Sequence, residues 1–350
     1  MSSAAHPESY KAYAFLEKGG PLQVIQVQWR DPAPGEIVVK VLACGICASD
    51  EIAKFQLMPQ VEYPRIPGHE IVGDVAATPS TENRWKIGNR VGSGWHGGHC
   101  NTCVSCMVGD YMTCENEDIN GIARHGGYAE YVTLRTEAVT PVPEDMSPAE
   151  VAPLFCAGVT TFNSLRNMPC KPPAYVAVQG IGGLGHLGIQ FAKAMGYRTV
   201  ALSSSGSKKQ LALALGADAF LDGSTADQVA ELKKIGNVRV IMCTAPNADI
   251  MRDMIPALAP RGTLLVLALT GDTSVNLGSL NVKGLSIRGW PNGPVADCLD
   301  CINFAKANGI KVMVESFPFV RANEAFERRS SALFRAVLLP QEQDLPRPRL

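Results

Sequence analysis

The sequence predicts an α/β chain: a doubly wound parallel sheet in its middle and a second, β-rich domain. Three observations carry this. The chain has 350 residues, more than one core usually takes. From about residue 153, short apolar strands alternate with amphipathic helices, the pattern of a parallel sheet with helical crossovers. Before that point the strands are broken by frequent Pro and Gly, and four cysteines crowd into residues 100–114.

The elements follow in order. The turn DPAPG (31–35) opens the Val- and Ile-rich strand EIVVKVLACGI (36–46), and GGYAEYVTL (126–134) is a second strand. Next comes the short apolar strand AYVAVQG (174–180). The helix GGLGHLGIQFAKAMG (182–196) has apolar residues at 184, 187, 191 and 195 and is closed by Gly196. The strand RTVALS (198–203) and the helix SKKQLALALG (207–216) repeat the unit. The strands VRVIMCTA (238–245) and GTLLVLAL (262–269) flank a helical stretch at DIMRDMIPALA (249–259).

Composition narrows the function. Hydrophobic residues make up 46% and charged residues 19%, a globular balance. The formal net charge is −1 with no run of Lys or Arg, which argues against a nucleic-acid partner. No apolar run reaches membrane-spanning length. The opening MSSAAHPESYKAY lacks an apolar signal core, and LPRPRL is a poor peroxisomal address. A cytoplasmic protein is expected, with no membrane.

That compartment bears on the cysteines. Cytosolic thiols stay reduced, so a cluster there points to metal ligands rather than disulfides. Cys100, Cys103, Cys106 and Cys114 have the spacing C-x2-C-x2-C-x7-C. Four thiolates close a tetrahedral shell around zinc, giving a structural site with no open position. No basic helix follows, as a DNA-binding finger would need.

Gly180, Gly182 and Gly185 form G-x-G-x-x-G between a strand and a helix. Gly180 permits the tight turn and Gly182 the approach of a pyrophosphate. Gly185 lets the helix pack on the strand, whose N-terminus attracts the anion. Gly183 and Leu184 lie inside this loop and are cofactor-binding candidates with it. These features define a Rossmann dinucleotide site. An NAD site usually carries an acid at the end of the second strand. Here that end reads ALSSSGSKK, offering Ser203, Ser204 and Ser205 hydroxyls and the Lys208 and Lys209 charges. This suits a 2′-phosphate, so NADP(H) is expected over NAD(H).

Three further pieces, CGICASD (44–50), PGHEIVG (67–73) and LFCAGVTTF (154–162), offer Cys47, His69 and Cys156. Spacing alone leaves several readings open: a catalytic zinc, buried thiols with a core histidine, or a redox pair of Cys44 and Cys47.

In order and content, Cys47–Asp50, Gly68-His69-Glu70, the four-cysteine cluster, Cys156–Thr160 and the glycine loop resemble the zinc-dependent medium-chain alcohol dehydrogenases, over nearly the whole chain. The likeness is closest to the yeast alcohol dehydrogenase and cinnamyl alcohol dehydrogenase branch. It implies a GroES-like catalytic domain (1–153, both zinc sites), a Rossmann domain (154–288) and a return to the catalytic domain (289–350). It implies two zinc ions per chain, with Cys47, His69 and Cys156 holding the catalytic one and Glu70 able to approach it. It makes Asp50 the carboxylate that orients His69, Ser49 the hydroxyl on the substrate oxygen, and Thr160 and Leu267 neighbours of the cofactor. Trp95, His96 and Trp290 fall where the family lines its substrate pocket, with Phe55 and Leu57 on weaker grounds. A homodimer or homotetramer is implied, with the strand near LSIRGW (285–290) able to pair across a two-fold axis.

The resemblance implies hydride transfer between NADP(H) and an alcohol/aldehyde pair, in the reductive direction, similar to fungal reductases that serve secondary metabolism. An NAD-linked alcohol or polyol dehydrogenase and a catalytically silent cofactor-binding or scaffold protein are the alternatives. The chain departs from the family's C-H-T-D-x-H pattern at Ala48 and Ile52. The first change removes a pyrophosphate contact and the second the outer end of the proton relay, for which His125 is a candidate substitute.

Overall fold

The computed structural model describes residues 6–329, 331 and 334–341. The chain forms two compact units. Among the described residues, one comprises 6–156, 292–303, 312–329, 331 and 334–341, and the other 157–291 and 304–311.

The first unit is built on the strand Glu36–Gly45, whose β-branched run is buried along most of its length. It pairs antiparallel with Ile71–Ala77, Tyr131–Arg135 and Arg335–Leu339. The sheet runs Val314–Pro318, Arg335–Leu339, Glu36–Gly45, Ile71–Ala77, Arg90–Ser93, Thr140–Pro141. Its core gathers Phe15, Ile37, Val39, Ile71, Tyr128, Leu134, Phe317 and Phe326, so residues from both ends of the sequence share one apolar interior. Ile52 belongs to this core, at 9% exposure. The position where the family pattern carries a relay histidine is thus packed among apolar side chains.

The second unit is a six-stranded, all-parallel sheet in the order Ala219–Asp222, Arg198–Ser203, Tyr175–Gln179, Val238–Cys243, Thr263–Val266, Ser286–Gly289. In sequence this is 3-2-1-4-5-6, the Rossmann order. The predicted strands at 174–180, 198–203, 238–245 and 262–269 are all present within a few residues. The helix Gly185–Ala194 is buried over most of its residues, and Gly196, at φ +88, ends it in a conformation that a side chain would strain. The strand Ala219–Asp222 and the helices Gln228–Ile235 and Leu277–Lys283 complete this unit and lie outside the elements read from the sequence. Among the described residues, no helix is long and apolar enough to cross a membrane.

Candidate active site

In the first unit the strand Glu36–Gly45 ends at a turn that begins a 3-10 helix, Ala48–Asp50. Cys47 is its N-cap, and Asp50 Oδ2 accepts from the Cys47 backbone N–H at 2.9 Å. This capping box folds the segment so that Cys47 Sγ and the Asp50 carboxylate both face inward. His69 and Glu70 precede the strand Ile71–Ala77, and Cys156 caps the 3-10 helix Ala152–Phe155.

These elements bring four ligand groups together. Atoms of Cys47, His69, Glu70 and Cys156 lie within 4.8 Å of one another. The two sulfurs are 3.8 Å apart, too far for a disulfide. His69 and Glu70 are fully buried, yet His69 Nε2 and both Glu70 carboxylate oxygens have no hydrogen-bond partner. Buried polar atoms left this way are costly unless something fills the space between them. Two sulfurs and an imidazole nitrogen converging there are the donor set of a zinc site with an open position.

The surroundings orient these groups. Asp50 is fully buried, and its Oδ1 stands 3.1 Å from His69 Nδ1. Its Oδ2 also accepts from the Tyr128 hydroxyl at 2.7 Å. The contact is an ion-pair distance without hydrogen-bond alignment, and the buried carboxylate charge favours the proton on Nδ1, which leaves Nε2 as the lone pair. Burial and the facing charges push Glu70 up to about 7, although Arg335, 3.6 Å away, pulls the other way. The hydrogen bond from Cys156, opposed by burial and aided by Arg335, holds the Cys47 thiol well below its usual range; Cys156 is pushed up correspondingly. Cys44 is buried, with its thiol pushed up by burial, and is not among the four ligand residues.

Ser49 Oγ lies 3.6 Å from Cys47 Sγ. The Trp95 ring packs edge-on against His69, at 5.1 Å between centroids. His96 is turned elsewhere: it stacks with His99, and its Nε2 is 3.0 Å from His99 Nδ1. His125 is not in the cluster either; its Nδ1 accepts from the Ile66 backbone at 3.3 Å. Phe55 and Leu57 are exposed. Nothing in the sequence pattern flags Tyr128. Arg335 is flagged faintly, as a lone charge in the apolar run FRAVLLP.

The second cysteine group sits in the lobe around the short helix Val104–Met107. The ligand atoms of Cys100, Cys103, Cys106 and Cys114 lie within 4.8 Å of one another, and all four cysteines are free thiols. Backbone N–H groups of Thr102 and Cys103 donate to Cys100 Sγ, and those of Cys100 and Asn116 to Cys114 Sγ, each at 3.4 Å. Donors aimed at sulfur favour thiolate; the Thr102 hydrogen bonds bring Cys100 down to about 5.

In the second unit a cavity of about 660 Å3 is lined by Gly180, Gly182, Ser203, Ser204 and Lys208. A side chain on Gly182 would meet nothing within 4 Å, so its open side faces space a ligand can use. On Gly185 a Cβ would lie 1.9 Å from the Gly180 carbonyl, so this glycine serves the close packing of helix on strand. Gly183, Leu184, Ser205, Thr160 and Leu267 do not line the cavity. Leu184 caps the helix Gly185–Ala194, and Thr160 lies on the helix Ala157–Arg166. Ser205 Oγ pairs with Ser207 Oγ at 2.9 Å, and Leu267 N–H donates to the Cys243 carbonyl. Lys208 Nζ donates to the Ile181 carbonyl at 2.7 Å, which ties the lysine to the glycine loop. Asp227 lines the cavity too, its carboxylate accepting from Ala230 N–H as a helix cap. Trp290 belongs to this unit and lies under the Arg288 guanidinium, 4.7 Å from the ring centroid.

Residues 33–144 match the family model of the alcohol dehydrogenase GroES-like domain, and residues 183–307 that of the zinc-binding dehydrogenase. With the parallel sheet described above, these matches define the class as an α/β oxidoreductase. The chain belongs to the zinc-dependent medium-chain alcohol dehydrogenase family. It is 45% identical to alcohol dehydrogenase patD of Penicillium expansum over 334 residues, covering 95% of this chain and 98% of that one. It is 35% identical to aldehyde reductase AdhA of Synechocystis, covering 94% and 98%. Among solved structures, cinnamyl alcohol dehydrogenase SbCAD4 of Sorghum bicolor is similar at a TM-score of 0.86 and 28% identity, over 97% of this chain and all of that one.

Proposed function

We propose that this oxidoreductase is an NADP(H)-preferring, zinc-dependent aldehyde reductase that interconverts an aldehyde and its alcohol. The observation that carries the zinc reading is the set of buried atoms without a hydrogen bond, His69 Nε2 and the Glu70 carboxylate, grouped with the Cys47 and Cys156 sulfurs. Cys47, His69 and Cys156 would hold the catalytic ion, Glu70 would lie beside it, and the four clustered cysteines would hold a structural one. When bound, the catalytic zinc supplies a Lewis acid for the substrate oxygen and the nicotinamide supplies hydride.

The protein's own groups do the rest. Asp50 keeps the His69 ring in one tautomer through Nδ1, and Tyr128 fixes Asp50 in turn. The Ser49 hydroxyl hands a proton to the alkoxide oxygen at the end of reduction and takes it back in oxidation. With Ile52 buried and His125 held at Ile66, solvent or the cofactor ribose completes proton exchange. Trp95, packed on His69, offers an aromatic wall for the substrate.

For the cofactor, Ser203, Ser204 and Lys208 supply hydroxyls and a cation at one end of the cavity. No acid ends the strand Arg198–Ser203, where an NAD ribose is usually gripped. Asp227 and Asp253 are the countervailing charges, and each has a partner of its own: Asp227 caps a helix and Asp253 pairs with Arg252. A cytoplasmic location and an oligomer complete the reading: all four residues of the edge strand Ser286–Gly289 are exposed, which suits pairing with a second copy.

The test is to follow NADPH and NADH oxidation side by side across aliphatic and aromatic aldehydes, using zinc-loaded protein. NADPH turnover well above NADH supports the serine–lysine reading. NADH preference overturns it and leaves the zinc reading standing. No turnover with either, in protein carrying two zinc ions, favours a silent protein. Light scattering on the same sample reads the oligomer.

A further inference from the structure

The first unit holds a separate cavity of about 410 Å3, and none of the eight residues of the two cysteine-bearing clusters lines it. Arg30, Arg65 and Arg124 line it, and no carboxylate does. Trp29, Tyr10 and Tyr131 line it as well. The Tyr131 ring meets Trp29 at 5.4 Å and Tyr10 at 5.5 Å between centroids.

The three cations are not equivalent. Arg30 is committed to Glu36 at 2.7 Å. Arg124 donates to the Gly97 and Thr133 carbonyls and has Asp118 at 3.8 Å. Arg65 is only 6% exposed, and its guanidinium has neither a hydrogen bond nor an ion pair among the described residues. Glu62 and Asp118 act on it only through space, while burial lowers its pKa. A guanidinium stays protonated in a protein, so this is a charge with no fixed protein partner: Nε is buried and unpaired, and the rest of the group lines the cavity, where an anion would complete it. His125 adds a donor. Its Nδ1 accepts from Ile66 N–H and burial keeps the ring neutral, which leaves the proton on Nε2.

We propose that this cavity binds a small aromatic carboxylate, with the carboxylate on Arg65 and the ring against Trp29, Tyr10 and Tyr131. The volume falls in the range of small-molecule sites. The planar fork of an arginine matches a carboxylate in two places at once. One uncommitted guanidinium answers one negative charge, which favours a monoanion over a phosphate dianion. The aromatic wall favours a flat ring over an aliphatic acid. This site is independent of the aldehyde reductase reading, since neither the zinc ligands nor the cofactor cavity contributes to it.

The experiment is calorimetric titration of the full, zinc-loaded chain with benzoate, and with benzamide and inorganic phosphate as comparators. Saturable binding of benzoate is expected, with benzamide and phosphate each about tenfold weaker or more. Arg65→Gln should weaken benzoate by about tenfold or more and abolish the rise in Tm that benzoate gives the unaltered chain. Trp29→Leu alters the half-buried aromatic wall rather than the buried charge, and should weaken benzoate several-fold; it serves as the reading if Arg65→Gln does not fold. Benzoate binding that ignores both substitutions, phosphate binding as tightly as benzoate, or no binding at all would overturn the proposal.

Discussion

Asp50 Oδ1 stands 3.1 Å from His69 Nδ1, and both side chains are fully buried. The carboxylate thereby decides which imidazole nitrogen carries the proton and where the other points. Asp50→Asn removes the charge that favours this tautomer. Zinc affinity at this site should fall by about 10- to 100-fold, and aldehyde reduction with it. Chelator competition reads the first effect and should show one zinc leaving early while the second stays.

The second zinc should be the structural one. Cys103→Ser breaks the four-thiolate shell without touching Cys47, His69 or Cys156. Metal content should drop from two ions to one, and Tm should fall by several degrees, because bound metal contributes folding free energy. One ion in parent and variant alike, with an unchanged Tm, would mean that the cysteine cluster holds nothing.

Gly182 and Gly185 should separate binding from folding. Gly185→Ala drives a methyl into the Gly180 carbonyl, 1.9 Å from the ideal Cβ, and should destabilise the chain by about 1–3 kcal/mol. Gly182→Ala meets open space and should leave Tm unchanged while raising the Kd for NADPH. Denaturation and cofactor titration on the pair check both halves.

Ser203→Asp places a carboxylate where the strand Arg198–Ser203 ends. It should repel a 2′-phosphate and grip a free ribose, moving the ratio of kcat/KM for NADPH over NADH toward NADH by about tenfold or more. An unmoved ratio would mean that the serine–lysine end of the cavity does not meet the ribose.

Glu117 gives a pH test away from the catalytic cluster. Burial pushes its carboxyl up to about 8, and Oε1 has no partner. A raised carboxyl favours the folded state while protonated, so its contribution is full below the usual carboxylate range, near 4.5, and is lost as pH rises through about 8. Glu117→Gln should match the parent at pH 4 and become the more stable of the two by pH 9. Urea denaturation at both values checks it, and equal stability at pH 9 would show that the carboxyl is solvated.

The second unit was legible because its information is local. Each strand and helix near 174–216 carries its own periodicity and its own closing glycine, and the glycine loop sits inside one strand–helix step. The four-cysteine lobe was legible for the same reason, with all its ligands within fifteen residues. Substrate-side residues were less so. Trp95 does reach His69, whereas its neighbour His96 turns to His99, because the chain bends at Trp95 just past the strand Arg90–Ser93. Family likeness alone points to Thr160 and Leu267, and neither lines the cavity beside the glycine loop.

By itself the sequence determined the fold class, the glycine loop and the four-cysteine lobe, because those rest on short-range periodicity and local spacing; Cys47, His69 and Cys156 were legible only through family resemblance. Tertiary structure decided what depends on distant segments meeting. It brought Cys47, His69 and Cys156 together across more than a hundred residues and set Tyr128 behind Asp50. It delivered Arg335 from the other end of the chain to Glu70, and left Arg65 without an anion beside three aromatic rings. No local pattern encodes these contacts; they follow from packing both ends of the chain into one sheet, whose buried charges must then find partners or go without.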